Sequence, residues 1–141
     1  MGNNADGAGA AAKDGRIRIL VIDDDEDVRD VLQVLLESEG YVVSAAADGH
    51  EGLRLQRRSP AAVVVTDIFM PGKEGIETVV DLVQEFPQTK VIVVSGAAPH
   101  AAKADYGQLA VSLGAVKFLP KPLRSQDLIT AVRELTSAQS P

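Results

Sequence analysis

Apolar and polar residues alternate along this chain in two kinds of segment. Short, mostly apolar runs occur at 17–22, 41–46, 62–66, 90–94 and 116–119. Each run has the length and continuity of a strand that is covered on both faces. Between these runs lie segments with apolar residues at helical spacing. The pattern therefore predicts a strand and a helix in alternation, five times over.

The predicted helices begin and end at residues that favour helix boundaries. The first helix is predicted over 26–38 and stops at Gly40, and its apolar stripe comprises Val28, Val31, Leu32, Leu35 and Leu36. The second is predicted over about 49–58, and the third carries Ile76, Val79, Val80 and Val83 before Pro87. A short fourth helix at about 109–113 ends at Gly114, and Ser125 is predicted as the N-cap of the last.

This alternation predicts an α/β fold. Strands joined through helices form a parallel sheet with right-handed crossovers, so helices cover both faces. For five such units we expect the flavodoxin-like, doubly wound strand order 2-1-3-4-5. In this order the first, third, fourth and fifth strands are contiguous, and their carboxyl ends meet along the edge where such sheets bind ligands.

A polar residue of a different kind follows each of those four strands. Asp23 and Asp24 follow the first strand, Asp67 the third, Ser95 the fourth and Lys121 the fifth. In isolation these residues are typical of helix starts, strand ends and turns. Together they predict a pocket for a divalent cation and a phosphoryl group, since carboxylates bind Mg²⁺ and an ammonium binds phosphoryl oxygens.

Asp67 is the candidate nucleophile of this pocket. A carboxylate can attack phosphorus and form an aspartyl phosphate, and a neighbouring cation lowers the repulsion between the two anions. Ser95 is followed by small residues and is a candidate donor to a phosphoryl oxygen. We expect Asp23 and Asp24 to face the ion, and Asp25 to face solvent or to start the first helix.

Composition narrows the function further. The 141 residues carry a net charge of −6 without a basic run, which argues against direct nucleic-acid binding. The chain has no Cys and no apolar stretch long enough for a membrane span, so we predict a cytoplasmic protein without membrane contact. Residues 1–15 are predicted to be a disordered tail, 16–137 one domain and 138–141 a short C-terminal tail.

The chain resembles the receiver domains of response regulators in two-component signalling, of the stand-alone chemotaxis or phosphorelay type. The resemblance covers about residues 16–137, and five pieces carry it by their order and spacing. These are Leu20-Val21-Ile22-Asp23-Asp24, Asp67-Ile68-Phe69-Met70-Pro71-Gly72, Val94-Ser95-Gly96, Leu113-Gly114-Ala115 and Phe118-Leu119-Pro120-Lys121-Pro122.

The resemblance implies a role for each matching residue. Asp67 would be the phosphoacceptor, and Asp23, Asp24, Asp67 and the backbone carbonyl of Phe69 would hold Mg²⁺. Ser95 and Lys121 would bind the phosphoryl group. Phe118 would be a switch residue that turns inward with Ser95, although a core Phe is an equally good interpretation. The Lys121–Pro122 bond matches a cis peptide of the family.

The implied function is signalling rather than enzymatic turnover. A sensor histidine kinase or a histidine phosphotransfer protein would supply the phosphoryl group. The domain would then present a changed surface, near the predicted fourth helix, fifth strand and fifth helix, to a downstream protein. Two alternatives remain: the chain is the receiver part of a longer regulator, or it is a haloacid-dehalogenase-type phosphatase that uses Asp23 as its nucleophile.

Three features depart from the family pattern. Glu74 stands where an Asp is usual, and the segment 96–113 is several residues longer than in most relatives. Phe69 is bulky at a position that often tunes dephosphorylation, so we expect it to slow attack by water on the aspartyl phosphate.

Overall fold

The computed structural model describes residue 12 and residues 14–68, 74–95 and 108–137. In this part of the chain five strands form one parallel sheet, in the order β2-β1-β3-β4-β5. The strands are β1 (Arg18–Ile22), β2 (Val42–Ala46), β3 (Val63–Asp67), β4 (Lys90–Ser95) and β5 (Lys117–Pro120). The predicted fold class and strand order are confirmed.

Helices connect the strands at the predicted places. They are α1 (Glu26–Ser38), α2 (Gly49–Arg58), α3 (Glu74–Glu85), α4 (residues 108–112) and α5 (Ser125–Ser137). One boundary prediction is wrong. The Arg124 carbonyl accepts a hydrogen bond from the Leu128 amide at 3.2 Å, so Ser125 is the first helical residue and not the N-cap.

The alternation of side chains along the strands divides the core into two layers. Leu20 and Ile22 of β1 lie in the layer that α2, α3 and α4 cover. Ile19 and Val21 lie in the opposite layer, which α1 and α5 cover. All four side chains are buried, so both faces of this interior strand require apolar residues. The continuous apolar runs of the sequence are the direct result.

The apolar stripe of α1 is narrower than the sequence predicts. Leu32 and Leu36 are buried against the sheet, as expected. Val31, however, is 62% exposed, and Val34 on the same helix is 68% exposed. The prediction that Val31 belongs to the buried stripe is therefore wrong, because the sheet contacts only the centre of this helical face.

Gly75 fixes the position of α3 against the strand that carries Asp67. It lies in the first turn of α3 with its Cα beside the backbone carbonyl of Ile68. A Cβ atom at this position would overlap that carbonyl oxygen, and a backbone group has little freedom to move away. The close approach is therefore specific to glycine.

Most of the predicted tails lie outside the described residues, namely 1–11, 13 and 138–141. Gly15 donates a hydrogen bond to the carbonyl of Ala12 at 2.9 Å, and the Ala12 amide donates to that of Arg16 at 2.7 Å. None of the helices among the described residues has both the length and the apolar character that crossing a membrane requires.

We predict that Gly75→Ala destabilises the fold by about 1–3 kcal/mol, the usual cost of overpacking. Urea denaturation in the absence of metal measures this free energy. Glu77→Ala is the matched control, since it lies on the exposed side of the same helix. Equal stability of the two variants would contradict the close approach of α3 to Ile68.

Candidate functional site

Three of the predicted site residues meet at the carboxyl edge of the sheet. Asp23 directly follows β1, Asp67 is the last residue of β3, and Lys121 directly follows β5. The Lys121 Nζ atom donates to Asp67 Oδ2 at 2.8 Å and to Asp23 Oδ2 at 3.0 Å. Residues that are 54 and 98 positions apart from Lys121 in sequence thus form one charged cluster.

Asp23 is held in place by its own backbone as well as by Lys121. Its amide donates to the carbonyl of Ala46 on β2 at 3.1 Å, and its carbonyl accepts from Arg29 Nη1 at 2.8 Å. Its Oδ1 atom accepts from the Asp25 amide at 2.9 Å, which leaves Oδ2 to meet Lys121. The residue is only 3% exposed, so these contacts fix its carboxylate toward the interior of the site.

Arg29 is a site-supporting residue that the sequence reasoning missed. It lies on α1, six residues after Asp23, and its guanidinium reaches back over the loop between β1 and α1. The sequence offered only a weak signal, an Arg in the second turn of a helix that begins with several acids.

Asp67 is buried among apolar strand residues. Its exposure is 6%, and its backbone lies beside Val94 of β4 in the sheet register. The Ile68 amide donates to the Val94 carbonyl at 3.0 Å, which extends the β3–β4 pairing one residue beyond Asp67. The Asp67 carboxylate therefore projects from the paired end of a strand.

Lys121 offsets the charge of two buried acids. Burial opposes the charged form of its amine, but hydrogen bonds and attraction from Asp67 and Asp23 outweigh that effect and raise the pKa of Lys121 above its ordinary value. Carboxylates this close together repel one another, and the ammonium of Lys121 reduces that repulsion. The Lys121–Pro122 bond is cis, in agreement with the sequence prediction.

Asp25 starts α1 as the sequence predicts, whereas Asp24 lies near the other two acids. Asp25 is exposed and caps α1, because its side chain accepts from the amides of Asp27 and Val28. Asp24 is exposed too, but one of its carboxylate oxygens lies within 4.8 Å of those of Asp23 and Asp67.

This donor set fits Mg²⁺. The ion prefers oxygen ligands at about 2.0–2.1 Å in an octahedron, which places adjacent ligand oxygens about 3 Å apart and opposite ones about 4 Å apart. One carboxylate oxygen from each of the three acids lies within 4.8 Å of the other two. Because Asp24 is exposed, its side chain can turn inward without displacing core residues. The chemistry and spacing of the three acids therefore suit a hard divalent cation.

Three other predicted residues are described only in part or not at all. Ser95 ends β4 and pairs with Pro120 in the register, but its side chain lies outside the described structure. Phe69 and its carbonyl lie outside the described residues, as does most of the long segment 96–113. Phe118 pairs with Val93 on β4 and is half-buried against the layer that α2, α3 and α4 cover.

We predict that Lys121→Met lowers the free energy of unfolding by about 3 kcal/mol in metal-free buffer at neutral pH, because hydrogen bonds to two buried charged groups are lost. Lys117→Met should cost less, since the Glu134 carboxylate that accepts from Lys117 is largely exposed. Urea denaturation of both variants measures the difference.

The same comparison has a predicted pH dependence. The pKa of Lys121 is raised by folding, so its contribution is complete below the ordinary value of 10.5 and declines as the pH rises through the higher folded value. The stability gap between wild type and Lys121→Met should therefore stay constant between about pH 7 and 9 and shrink above 10.5. A gap that persists undiminished at higher pH would contradict the role of the ammonium.

Comparison with known proteins gives one consistent result. The family described as "Response regulator receiver domain" matches residues 19–133. The chain is 35% identical over 118 residues to the transcriptional regulatory protein CpxR of Escherichia coli (strain K12). The matched residues are 84% of this chain and 48% of that protein. The chain thus spans about half the length of this relative.

Shorter relatives and solved structures match along most of their length. An uncharacterized 14.6 kDa protein of Leptolyngbya boryana is 34% identical over 123 residues, which are 87% of this chain and 92% of that protein. A crystal structure of a CheY-like receiver domain protein from Methanospirillum hungatei JF-1 superposes with a TM-score of 0.79 at 31% identity. The superposition covers 87% of this chain and 96% of that one.

Proposed function

The chain belongs to the response regulator receiver domain family, and from this premise we propose that Asp67 accepts a phosphoryl group from a phosphohistidine of a partner protein. A sensor histidine kinase or a histidine phosphotransfer protein would present that group. The domain would act as a switch in signalling and would not turn over a separate substrate.

One observation carries the proposal. The Asp67 carboxylate belongs to a cluster of acids suited to a divalent cation, and the Lys121 Nζ is 2.8 Å from Asp67 Oδ2. A nucleophilic oxygen, a cation site and a fixed positive charge are the groups that a transferring phosphoryl needs. All three groups meet at the carboxyl end of β3.

The proposed transfer is a simple displacement at phosphorus. An Asp67 carboxylate oxygen forms a bond to phosphorus while the bond from phosphorus to the imidazole nitrogen breaks. The electron pair of that bond stays with the imidazole, which takes up a proton. Lys121 exchanges part of its contact with Asp67 for the new phosphoryl oxygens, so the incoming negative charge meets a positive charge already in place.

Asp23, Asp24 and Asp67 would hold Mg²⁺, with the Phe69 carbonyl as a further predicted ligand. The bound ion would neutralise charge that develops on the phosphoryl oxygens. Asp23 orients its carboxylate through the hydrogen bond from the Asp25 amide, and Arg29 holds its backbone. These contacts keep the ligand set assembled before a phosphoryl group arrives.

We propose that phosphorylation changes a protein-binding surface. Ser95 would donate to the new phosphoryl group, and Phe118, half-buried on β5, would move inward with it. The affected surface would include α4, β5 and α5, where a downstream protein would bind. Such a switch shifts a pre-existing balance between two conformations.

The extent of the protein and its wider partners stay predictions. CpxR is by name a transcriptional regulatory protein, and this chain matches only part of it, whereas the Leptolyngbya relative is matched almost throughout. Both a stand-alone receiver and the receiver part of a longer regulator agree with these relatives. Direct nucleic-acid contact is not expected from the acidic composition of this chain, and a cytoplasmic location remains our expectation.

The identity of the phosphoacceptor is testable by mass spectrometry. After treatment with acetyl phosphate and Mg²⁺, the modified residue should map to Asp67, and Asp67→Asn should remain unmodified. Asp25→Asn is the control, because it removes one nearby charge and leaves a residue that caps helices equally well. Modification at Asp23 would instead support the phosphatase alternative.

The metal site is testable without any phosphoryl donor. Mg²⁺ that binds only the folded state raises its stability, by about 2.7 kcal/mol when the ion is at 100 times its Kd. We expect millimolar Mg²⁺ to raise the melting temperature of wild type and Asp25→Asn by several degrees, and that of Asp24→Asn far less. An equal response of Asp24→Asn and Asp25→Asn would show that Asp24 is not a ligand.

A further inference from the structure

A cavity of about 320 Å³ opens beside the carboxylate cluster. It lies between the first turns of α1, which contribute Val28 and Val31, and the segment that joins β5 to α5, which contributes Pro122 and Leu123. Strand residues of the α1 and α5 layer close it toward the sheet. The volume is near the lower end of the range for small-molecule pockets, so it suits a ligand about the size of one ring.

The cavity has an apolar body and a charged end. Val28, Val31 and Leu123 belong to its apolar lining, whereas Asp67 and Lys121 mark the place where it meets the proposed phosphoacceptor site. A molecule that fills the apolar part would therefore reach the acids with its polar end. Pockets with this division between apolar walls and a few convergent polar groups are typical of specific ligand sites.

The charge at that end of the cavity determines whether a cationic or an anionic ligand is favoured. Among the described residues, the cavity is lined by three carboxylates, those of Asp23, Asp27 and Asp67, and by one ammonium, that of Lys121. The ammonium already donates to both Asp23 and Asp67. Asp27 is exposed in the first turn of α1 and adds a further negative charge at the mouth. The surplus of negative charge favours a cation and disfavours an anion.

Val31 supports the same interpretation. It is a large apolar residue with 62% exposure, and it belongs to the cavity lining. Val34 on the same helix is similarly exposed, at 68%, but does not belong to that lining. An apolar ligand body would cover Val31 and leave Val34 in solvent. Substitutions at these two positions can therefore be compared on the same helix.

We propose that this cavity binds a small organic cation with a compact apolar body, of the arylamidine or arylammonium class, and that the bound cation obstructs phosphorylation of Asp67. Binding itself follows from the cavity and its charge alone. The obstruction rests on the proposed function, since it requires that the phosphoryl group approach Asp67 through the space that the cationic end would occupy.

Three probes of nearly the same shape test the charge requirement. Benzamidine is a cation, benzamide is neutral and benzoate is an anion. In methyl-detected NMR titrations of the metal-free protein, benzamidine should shift the methyl signals of Val28, Val31 and Leu123 in a saturable manner. It should bind about fivefold more tightly than benzamide, the effect of one partly exposed ion pair. Benzoate should produce no saturable shift.

Two pairs of variants locate the site. Val31→Phe places bulk in the lining and should weaken benzamidine binding about tenfold, whereas Val34→Phe, its matched control, should bind as wild type does. Asp27→Asn should weaken binding of benzamidine but not of benzamide. Asp30→Asn on the same helix, which does not line the cavity, should leave both unchanged.

The obstruction is measured as the rate at which acetyl phosphate with Mg²⁺ modifies Asp67. Benzamidine should slow this rate in wild type and in Val34→Phe, and should have far less effect in Val31→Phe. The rate without benzamidine reports on the proposed function independently. Equal affinity for the three probes, or equal weakening by Val31→Phe and Val34→Phe, would overturn the binding site. Saturable binding in a titration repeated with Mg²⁺, together with an unchanged rate, would overturn the obstruction.

Discussion

The carboxyl edge of this sheet depends on one interaction, the contact of the Lys121 ammonium with the carboxylates of Asp23 and Asp67. The two acid side chains are only 4% and 7% exposed. Burying either charge without a partner would be strongly unfavourable. The ammonium of Lys121, which follows β5, contacts both acids. It therefore links the ends of three strands.

The same arrangement leaves the site ready for exchange. One ammonium offsets only one of the two carboxylate charges, so the cluster keeps a negative charge that a divalent cation can neutralise. An added phosphoryl group would shift the balance again and give Lys121 new oxygen partners. The charge balance of the site thus differs between the cation-free, cation-bound and phosphorylated forms. Such a dependence on local charge is suited to a switch. The apolar cavity of the α1 and α5 layer lies next to the same charges.

The sequence predicted the parts of this structure that follow from periodicity. Strands with both faces buried read as unbroken apolar runs, so Ile19–Ile22 and Val63–Val65 were recognisable without a structure. The strand order then placed Asp23, Asp67 and Lys121 at one edge. Asp25 was predictable as a helix start because an acid before an apolar helical stripe is a strong local signal.

The remaining features depend on distances that a pattern does not contain. Val31 has the spacing of a buried residue, but the sheet contacts only the centre of this helical face and leaves Val31 exposed. The contact of Arg29 with the Asp23 carbonyl depends on the path of the loop between β1 and α1. The relief of acid repulsion by Lys121 depends on the position of one side-chain nitrogen, to within about an ångström.

The central claim is that Asp67 accepts the phosphoryl group in a pocket where Asp23 and Asp24 bind Mg²⁺ and Lys121 contributes a positive charge. A crystal structure of the protein with Mg²⁺ and beryllofluoride, a mimic of the phosphoryl group, tests it most directly. We predict beryllium bonded to the Asp67 carboxylate, Lys121 Nζ in contact with a fluoride, and the metal bound by Asp23 and Asp24. Beryllofluoride on a different residue, or a metal that contacts neither Asp23 nor Asp24, would contradict the claim.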